Sequence, residues 1–502
     1  MAQRSPTNGP LVLAVDSSTT ATKTLVVDAT GGVLAQGRAT YPMATPAKDL
    51  YEQDATHWLA AAHRAIGEVV AALTPGERNR ISGMCVTPQR QTFVLCDEAG
   101  RPSRPAILWL DGRAGEQVAR LGSEWVHATS GMVPDVTPSL YKLAWLSEHE
   151  PHTLSSAARV VGVHAYLAHA FTGEWVDSRA TADSLGLFDM AALTWSDGLL
   201  EMAGVRRDQL PELGDTATVL GEVRTEVAQG WGLPGPIPLV AGCGDGQAAG
   251  IGAGVTRPDE GYLNLGTAVV AGVHVPQYRW GRSYRTDAAG LPGHFVLEVV
   301  QNSGAYLTDW FRAQLGDAAL LGAPDQELER AASDVPAGSD GLLTLPYWNA
   351  VQSPHWDPRA RGAMVGFSGA QTRAAMYRSV LEGISMETGR NLRALVEDTG
   401  TPLTTLRIMG GGQRSALWRR IMAACVGVPL ETCASEEVSA LGAAAMAMAV
   451  VTDTDVATCA QAMAAPGEIT EPDPDLVERY DEIGALQGEL YDRLADLFPR
   501  LH

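Results

Sequence analysis

The chain has 502 residues, 45% hydrophobic and 19% charged. That is too much chain for one core, so two or more domains are expected. Its 58 acidic and 37 basic residues give a net charge of −21, which argues against a general nucleic-acid binder but leaves room for a phosphorylated small ligand held by local donors.

In chain order, apolar runs at 11–15, 24–28 and 33–37 predict a meander of three strands. An amphipathic pattern at 58–73 predicts a helix stopped by Thr74-Pro75-Gly76. Runs 81–86 and 92–96 predict a strand pair joined by the loop Gln89-Arg90-Gln91, and 114–232 reads as a mixed helical region. A strand at 239–242 follows a proline-bounded turn and leads into Gly242-Cys-Gly-Asp245-Gly-Gln-Ala-Ala-Gly250. Strands at 262–265 and 269–275, joined by Gly266-Thr267, repeat the opening theme and suggest duplication, with a boundary near 253–260. A strand at 405–409, the turn Gly410-Gly411-Gly412 and helices at 415–426, 439–451 and 476–497 close the chain.

The six cysteines show no CxxC and no framework spacing, so reduced thiols and a cytoplasmic location are expected. Residues 1–10 lack the apolar core of a signal peptide, and the apolar run 440–451 is too short to span a bilayer. No HExxH supports a zinc enzyme.

The chemistry-bearing features are three turns and one acid. Asp16-Ser17-Ser18-Thr19-Thr20, with Lys23, joins two strands and offers backbone N–H groups and hydroxyls to a phosphate. Asp16 at its mouth suits Mg²⁺, directly or through water. Gly266-Thr267 is a second such turn, and Gly410-Gly411-Gly412 before Ser415 leaves bare backbone for a nucleoside. Each alone is more often an ordinary loop or flexible turn; their order at strand ends points to one nucleotide site. Asp245 between glycines suits a general base, or else an N-cap for a helix starting near Gln247. Walker A and dinucleotide-binding fingerprints are absent, which disfavours a P-loop protein and a nicotinamide oxidoreductase.

These turns, together with Ser139-Leu-Tyr-Lys142-Leu-Ala-Trp145 and with Gly362-Ala-Met-Val-Gly366-Phe367 followed by Ser379-Val-Leu-Glu382, resemble the FGGY carbohydrate kinases. Thr137 and Ala375 depart from the usual signatures. The resemblance implies an α/β fold of two duplicated actin-like (ribonuclease H-like) ATPase domains, 10–254 and 255–495, around a central cleft. It implies ATP and Mg²⁺ as cofactors, Asp16 organising the metal and phosphates, and Thr19, Thr20 and Thr267 on phosphate oxygens. Gly411, Gly412 and Ser415 would border adenosine, and Asp245 would be the catalytic base.

For the acceptor, Gln89, Arg90, Gln91, Trp109 and Asp111 offer the donors, acceptors and aromatic face that a small polyhydroxylated ligand needs. Arg113 reads equally as a surface salt bridge. Trp109-Leu-Asp111-Gly-Arg113 and Gly410-Gly-Gly-Gln-Arg-Ser-Ala-Leu-Trp418 resemble xylulokinases, whereas Gln89-Arg90-Gln91-Thr92 resembles the Gln-Arg-Glu-Thr of glycerol kinases. The expectation is phosphorylation of a pentulose such as D-xylulose, with a glycerol or tetritol kinase as the alternative. A non-catalytic actin-like ATP-binding module is the alternative of another class. The expected partner is a small sugar or polyol, with no nucleic acid and no membrane; a homodimer is one option for assembly.

Overall fold

The computed structural model of the chain describes residues 8–316 and 325–501. Five strands carry its first half: β1 (Leu11–Ser17), β2 (Ala21–Asp28), β3 (Val33–Thr40), β4 (Ile81–Pro88) and β5 (Pro238–Val240). Beyond the edge strand Val219–Glu222, the sheet order is β5-β4-β1-β2-β3. β1 to β3 form an antiparallel meander, while β4 lies parallel to β1 and β5 parallel to β4. All seven residues of β1 are buried, as a central strand covered on both faces requires.

The second half repeats this plan with β6 (Glu260–Leu265), β7 (Val269–Val275), β8 (Phe295–Gln301), β9 (Thr405–Met409) and β10 (Leu430–Thr432). Their order is β8-β7-β6-β9-β10, flanked by Arg285–Ala288 and Ile469–Thr470. Again the first three strands are antiparallel, and β9 and β10 run parallel to β6 and β9. Strand order and direction match those of the first sheet, so the predicted duplication is present in the topology.

The helices that matter here are α1 (Ala55–Ala71), α2 (Ser139–His149), α3 (Asp245–Gly252), α4 (Arg373–Thr399), α5 (Ala416–Val426) and α6 (Val438–Thr452). α1 starts three residues before its predicted position because Asp54 caps it, accepting from the Thr56 N–H. It buries Trp58, Ala62, Ile66 and Val69 against β2 and β3.

α6, late in the sequence, packs on β1 and β4 of the first sheet. α3 leans the other way: a Cβ on Gly250 would come within 2.6 Å of the Tyr262 ring on β6. The two helices cross with backbones in contact. A Cβ on Gly442 would fall 1.9 Å from the Ala248 carbonyl oxygen, and one on Gly252 would fall 1.8 Å from that of Val438. One apolar core therefore runs through both halves.

Two expectations are corrected. Phe93–Cys96 does not pair with β4; it pairs with Arg159–Gly162 in a separate four-stranded sheet. The chain leaves β4 through Gln91, whose φ of +56° turns it out of the first sheet. The region 114–232 also contributes short strands beside its helices.

Candidate active site

Three loops leave the C-terminal ends of the adjacent parallel strands β1, β4 and β5, where α/β sheets place their ligands. The first is the Ser18–Thr20 turn. Ser18 closes it, its N–H and its hydroxyl both donating to the Ala21 carbonyl at 3.0 Å. Thr20 is exposed at the tip. Thr19 is held at both ends: Gln53 donates to its carbonyl at 2.7 Å, and the Trp109 indole N–H to its hydroxyl at 3.0 Å.

Asp16 stands opposite Lys23 across the hairpin. Burial raises its carboxyl to about 7; Asp245 and Glu437 push the same way and Lys23 opposes. Its Oδ1 is buried without a hydrogen-bond partner among the described residues. An orphaned carboxylate oxygen surrounded by acids fits a cation. Among the described residues no group of three or more His, Cys, Asp or Glu could hold a metal alone. Mg²⁺ at Asp16 would therefore complete its shell with water and phosphate, as is usual for this ion.

Asp245 opens α3 after β5, held there by the Thr87 hydroxyl donating to the Cys243 carbonyl at 2.8 Å. The helix N-cap is Gly244, not Asp245. The carboxylate accepts from the Gly246 N–H at 2.9 Å and is 38% exposed. The protein around it raises its carboxyl above the usual 3.8, an effect Arg90 opposes.

In the second sheet, β6 and β9 run parallel, with Asn264 beside Met409, so the turns that follow them emerge side by side. Gly266 and Thr267 are pinned by the Ala305 and Gly304 N–H groups at 2.7 and 3.0 Å, and Thr267 is exposed. Gly410 has φ +82°, and a Cβ there would sit 2.5 Å from Asn264 Oδ1. Only glycine fits that position. Ser415 caps α5, accepting from the Trp418 N–H at 3.0 Å and donating to Glu329 at 2.7 Å.

The segment 433–439 joins these parts. The Cys433 N–H donates to Gln413 at 3.2 Å, and Glu436 pairs with Arg414 at 3.3 Å. Glu437 meets Lys23 at 2.7 Å, and the Ser439 hydroxyl donates to the Asp245 carbonyl at 3.1 Å. The third turn, the first turn and Asp245 are thereby tied to one stretch of chain. Sequence reading missed Glu437; a lone acid before an apolar run carries no signal of its distant partner.

The loops carrying Gln89–Gln91 and Trp109–Asp111 show a division of labour. Gln91 is buried in the left-handed region, a strained position for a non-glycine residue, with its N–H donating to Ser184 at 3.3 Å. Lys142 on α2 is fully buried, and its ammonium donates to the carbonyls of Leu108, Trp109 and Gln91 at 2.9, 3.3 and 3.4 Å. One cation thus fastens both loops; burial lowers it to about 7, against Asp111 and Asp135. Gln89 is buried, its Oε1 unpartnered among the described residues.

One substrate assignment does not fit. Asp111 is 0% exposed, with its oxygens taken by the Tyr51 N–H at 2.7 Å and by Arg113 at 2.7 and 2.8 Å. It is a structural acid. Arg90 reaches Asp287 and Glu298 at 2.9 Å each and lies 3.6 Å from Asp245. Its charge is neutralised by buried carboxylates of the second sheet.

Glu382 of the C-terminal signature lies inside α4, bonded to Arg378, Ser339 and Tyr480 at 2.7, 2.7 and 2.8 Å. It holds the fold rather than the site.

Residues 11–252 match the N-terminal domain, and residues 261–451 the C-terminal domain, of the FGGY family of carbohydrate kinases. A glycerol kinase of Bordetella parapertussis is 31% identical over 88% of this chain and 89% of its own length. A xylulose kinase of Escherichia coli is 28% identical over 87% and 89%. The crystal structure of xylulose kinase from Rhodospirillum rubrum superposes with a TM-score of 0.90 at 29% identity, covering 97% of this chain and 99% of that one. With both domain matches spanning its two sheets, the chain belongs to the FGGY family of carbohydrate kinases and is a sugar kinase.

Proposed function

We propose that the chain transfers the γ-phosphoryl group of ATP to a hydroxyl of a pentulose such as D-xylulose. As the sugar oxygen attacks phosphorus, Asp245 accepts its proton; the bond from the γ-phosphorus to the bridging oxygen breaks and ADP leaves. The observation that carries this reading is the short segment 437–439, in which Glu437 holds Lys23, opposite Asp16, at 2.7 Å and Ser439 holds the Asp245 carbonyl at 3.1 Å, so that the two acids share one place. Ser18, Thr19, Thr20 and Lys23 would face the phosphates from one side, Gly266 and Thr267 from the other. Gly410, Gly411, Gly412 and Ser415 would border adenosine, and Gln89, Gln91 and Trp109 the sugar.

Asp16 would hold Mg²⁺, which when bound offsets the phosphate charge. The domains divide at 254/255, and closure of the cleft excludes water so that sugar is the nucleophile. The setting is the cytoplasm.

A polyol such as glycerol or a tetritol is the second reading, favoured by the Gln89-Arg90-Gln91-Thr92 loop and by the glycerol kinase relative. ADP release with D-xylulose, D- and L-ribulose, glycerol and erythritol tests both. Preference for a ketose supports the first, preference for glycerol or erythritol the second. Nucleotide binding with no acceptor-dependent ADP release would overturn both.

A further inference from the structure

Arg90 belongs to the first sheet by sequence and to the second by its bonds. It follows β4, yet Nη1 donates to Asp287 on the strand Arg285–Ala288 and Nη2 to Glu298 on β8, both at 2.9 Å. These carboxylates are 1% and 0% exposed. Glu298 is further fixed by Arg285 at 2.7 Å and by the Tyr262 hydroxyl. Moving Arg90 would leave two buried acids with Arg285 as their one remaining cation among the described residues, which is unfavourable.

The remaining edge of the guanidinium faces the catalytic loop. Nε lies 3.6 Å from Asp245 Oδ1. The glycines on either side of Asp245 make way for this side chain. A Cβ on Gly244 would meet Arg90 Cδ at 2.4 Å, and one on Gly246 would meet Nη2 at 2.7 Å.

We propose that Arg90 is the positioning residue of Asp245: the second sheet locks the guanidinium, and the guanidinium braces the carboxylate 3.6 Å away. The carboxylate is then correctly aimed only when the two sheets are juxtaposed. This rests on the reading of Asp245 as general base.

The test is steady-state kinetics of Arg90→Gln, Arg90→Lys and Gly246→Ala, beside Asp245→Asn, with the best sugar acceptor. Misplacing a catalytic group by about 1 Å costs on the order of 10²-fold. Arg90→Gln is expected to lower kcat by about that factor, with the sugar KM within about threefold, and Arg90→Lys to recover at least about tenfold. Gly246→Ala keeps every charge and crowds Arg90, so it is expected to lower kcat without raising KM; it serves if Arg90→Gln does not fold. A sugar KM raised tenfold at normal kcat would mean that Arg90 reads the acceptor, and the proposal fails. Normal kcat and KM in Gly246→Ala and Arg90→Lys would also overturn it. Near-normal turnover in Asp245→Asn would instead sink the base assignment itself, whatever the Arg90 variants do.

Discussion

The indole N–H of Trp109 donates to the hydroxyl of Thr19 at 3.0 Å, so a side chain proposed to border the sugar touches the turn proposed to hold the phosphates. Trp109→Phe keeps the aromatic face and removes the donor. A neutral hydrogen bond contributes about 1 kcal/mol net, or about fivefold. KM for ATP is expected to rise by about that factor while the sugar KM barely changes. Thr19→Val should do the same, and the double variant should be no worse than either single one. Additive losses would separate the two residues.

Asp245→Asn is expected to lower kcat by about 10²–10⁴-fold, the usual worth of general-base catalysis. The base must be ionised to accept a proton, and its carboxyl is raised above 3.8. Activity in kcat/KM should therefore fall as pH drops through a midpoint above that value. A midpoint at or below 3.8 would contradict the raised carboxyl.

Asp16 sets a pH dependence of stability. Its folded pKa of about 7 lies above the ordinary 3.8. Its contribution is therefore complete below the unfolded value and is lost as pH rises through about 7. Between about pH 6 and pH 8 the loss is about 1.4 kcal/mol. Asp16→Asn should flatten this part of the Tm profile. Mg²⁺ should raise the wild-type Tm most at the alkaline end, and the rise should vanish in the variant. An equal Mg²⁺ effect in both would remove Asp16 from the metal site.

Lys142→Met takes one cation from three carbonyls of the acceptor loops. With charge-assisted bonds worth about 1.5–3 kcal/mol, kcat/KM for the sugar is expected to fall about 10–100-fold. Loss of ATP binding with sugar binding intact would place the role of Lys142 elsewhere.

Gly442→Ala would put a methyl group 1.9 Å from the Ala248 carbonyl oxygen. Forcing α3 and α6 apart is expected to cost about 1–3 kcal/mol, read as a lower denaturation midpoint. Gly67→Ala on α1, where a Cβ meets nothing within 4 Å, is the control and should stabilise slightly.

Much of the fold was readable because the two sheets open on the same theme of apolar run, polar turn, apolar run. The turns at 18–20 and 266–267 were readable because they join strands locally. α4 was missed: it buries Arg378, Glu382, Glu387, Thr388 and Asn391 along with its apolar residues, which erases the periodicity of a helix. Asp111 was misassigned, and the partners of Arg90 were missed, because a charged side chain in a loop looks available until its partners are seen. Those of Arg90 lie on Asp287 and Glu298, about two hundred residues away, and no local pattern announces them.

The crossing of α3 and α6 has a bearing on how the protein can be divided. Each half lends its closing helix to the other, so neither is a finished object. Severed near residue 255, the first piece would lack the lid over β1 and β4, leaving an oily surface bare to water. The two fragments are expected to be sticky and poorly folded apart and to regain shape when mixed, as interlocked parts do.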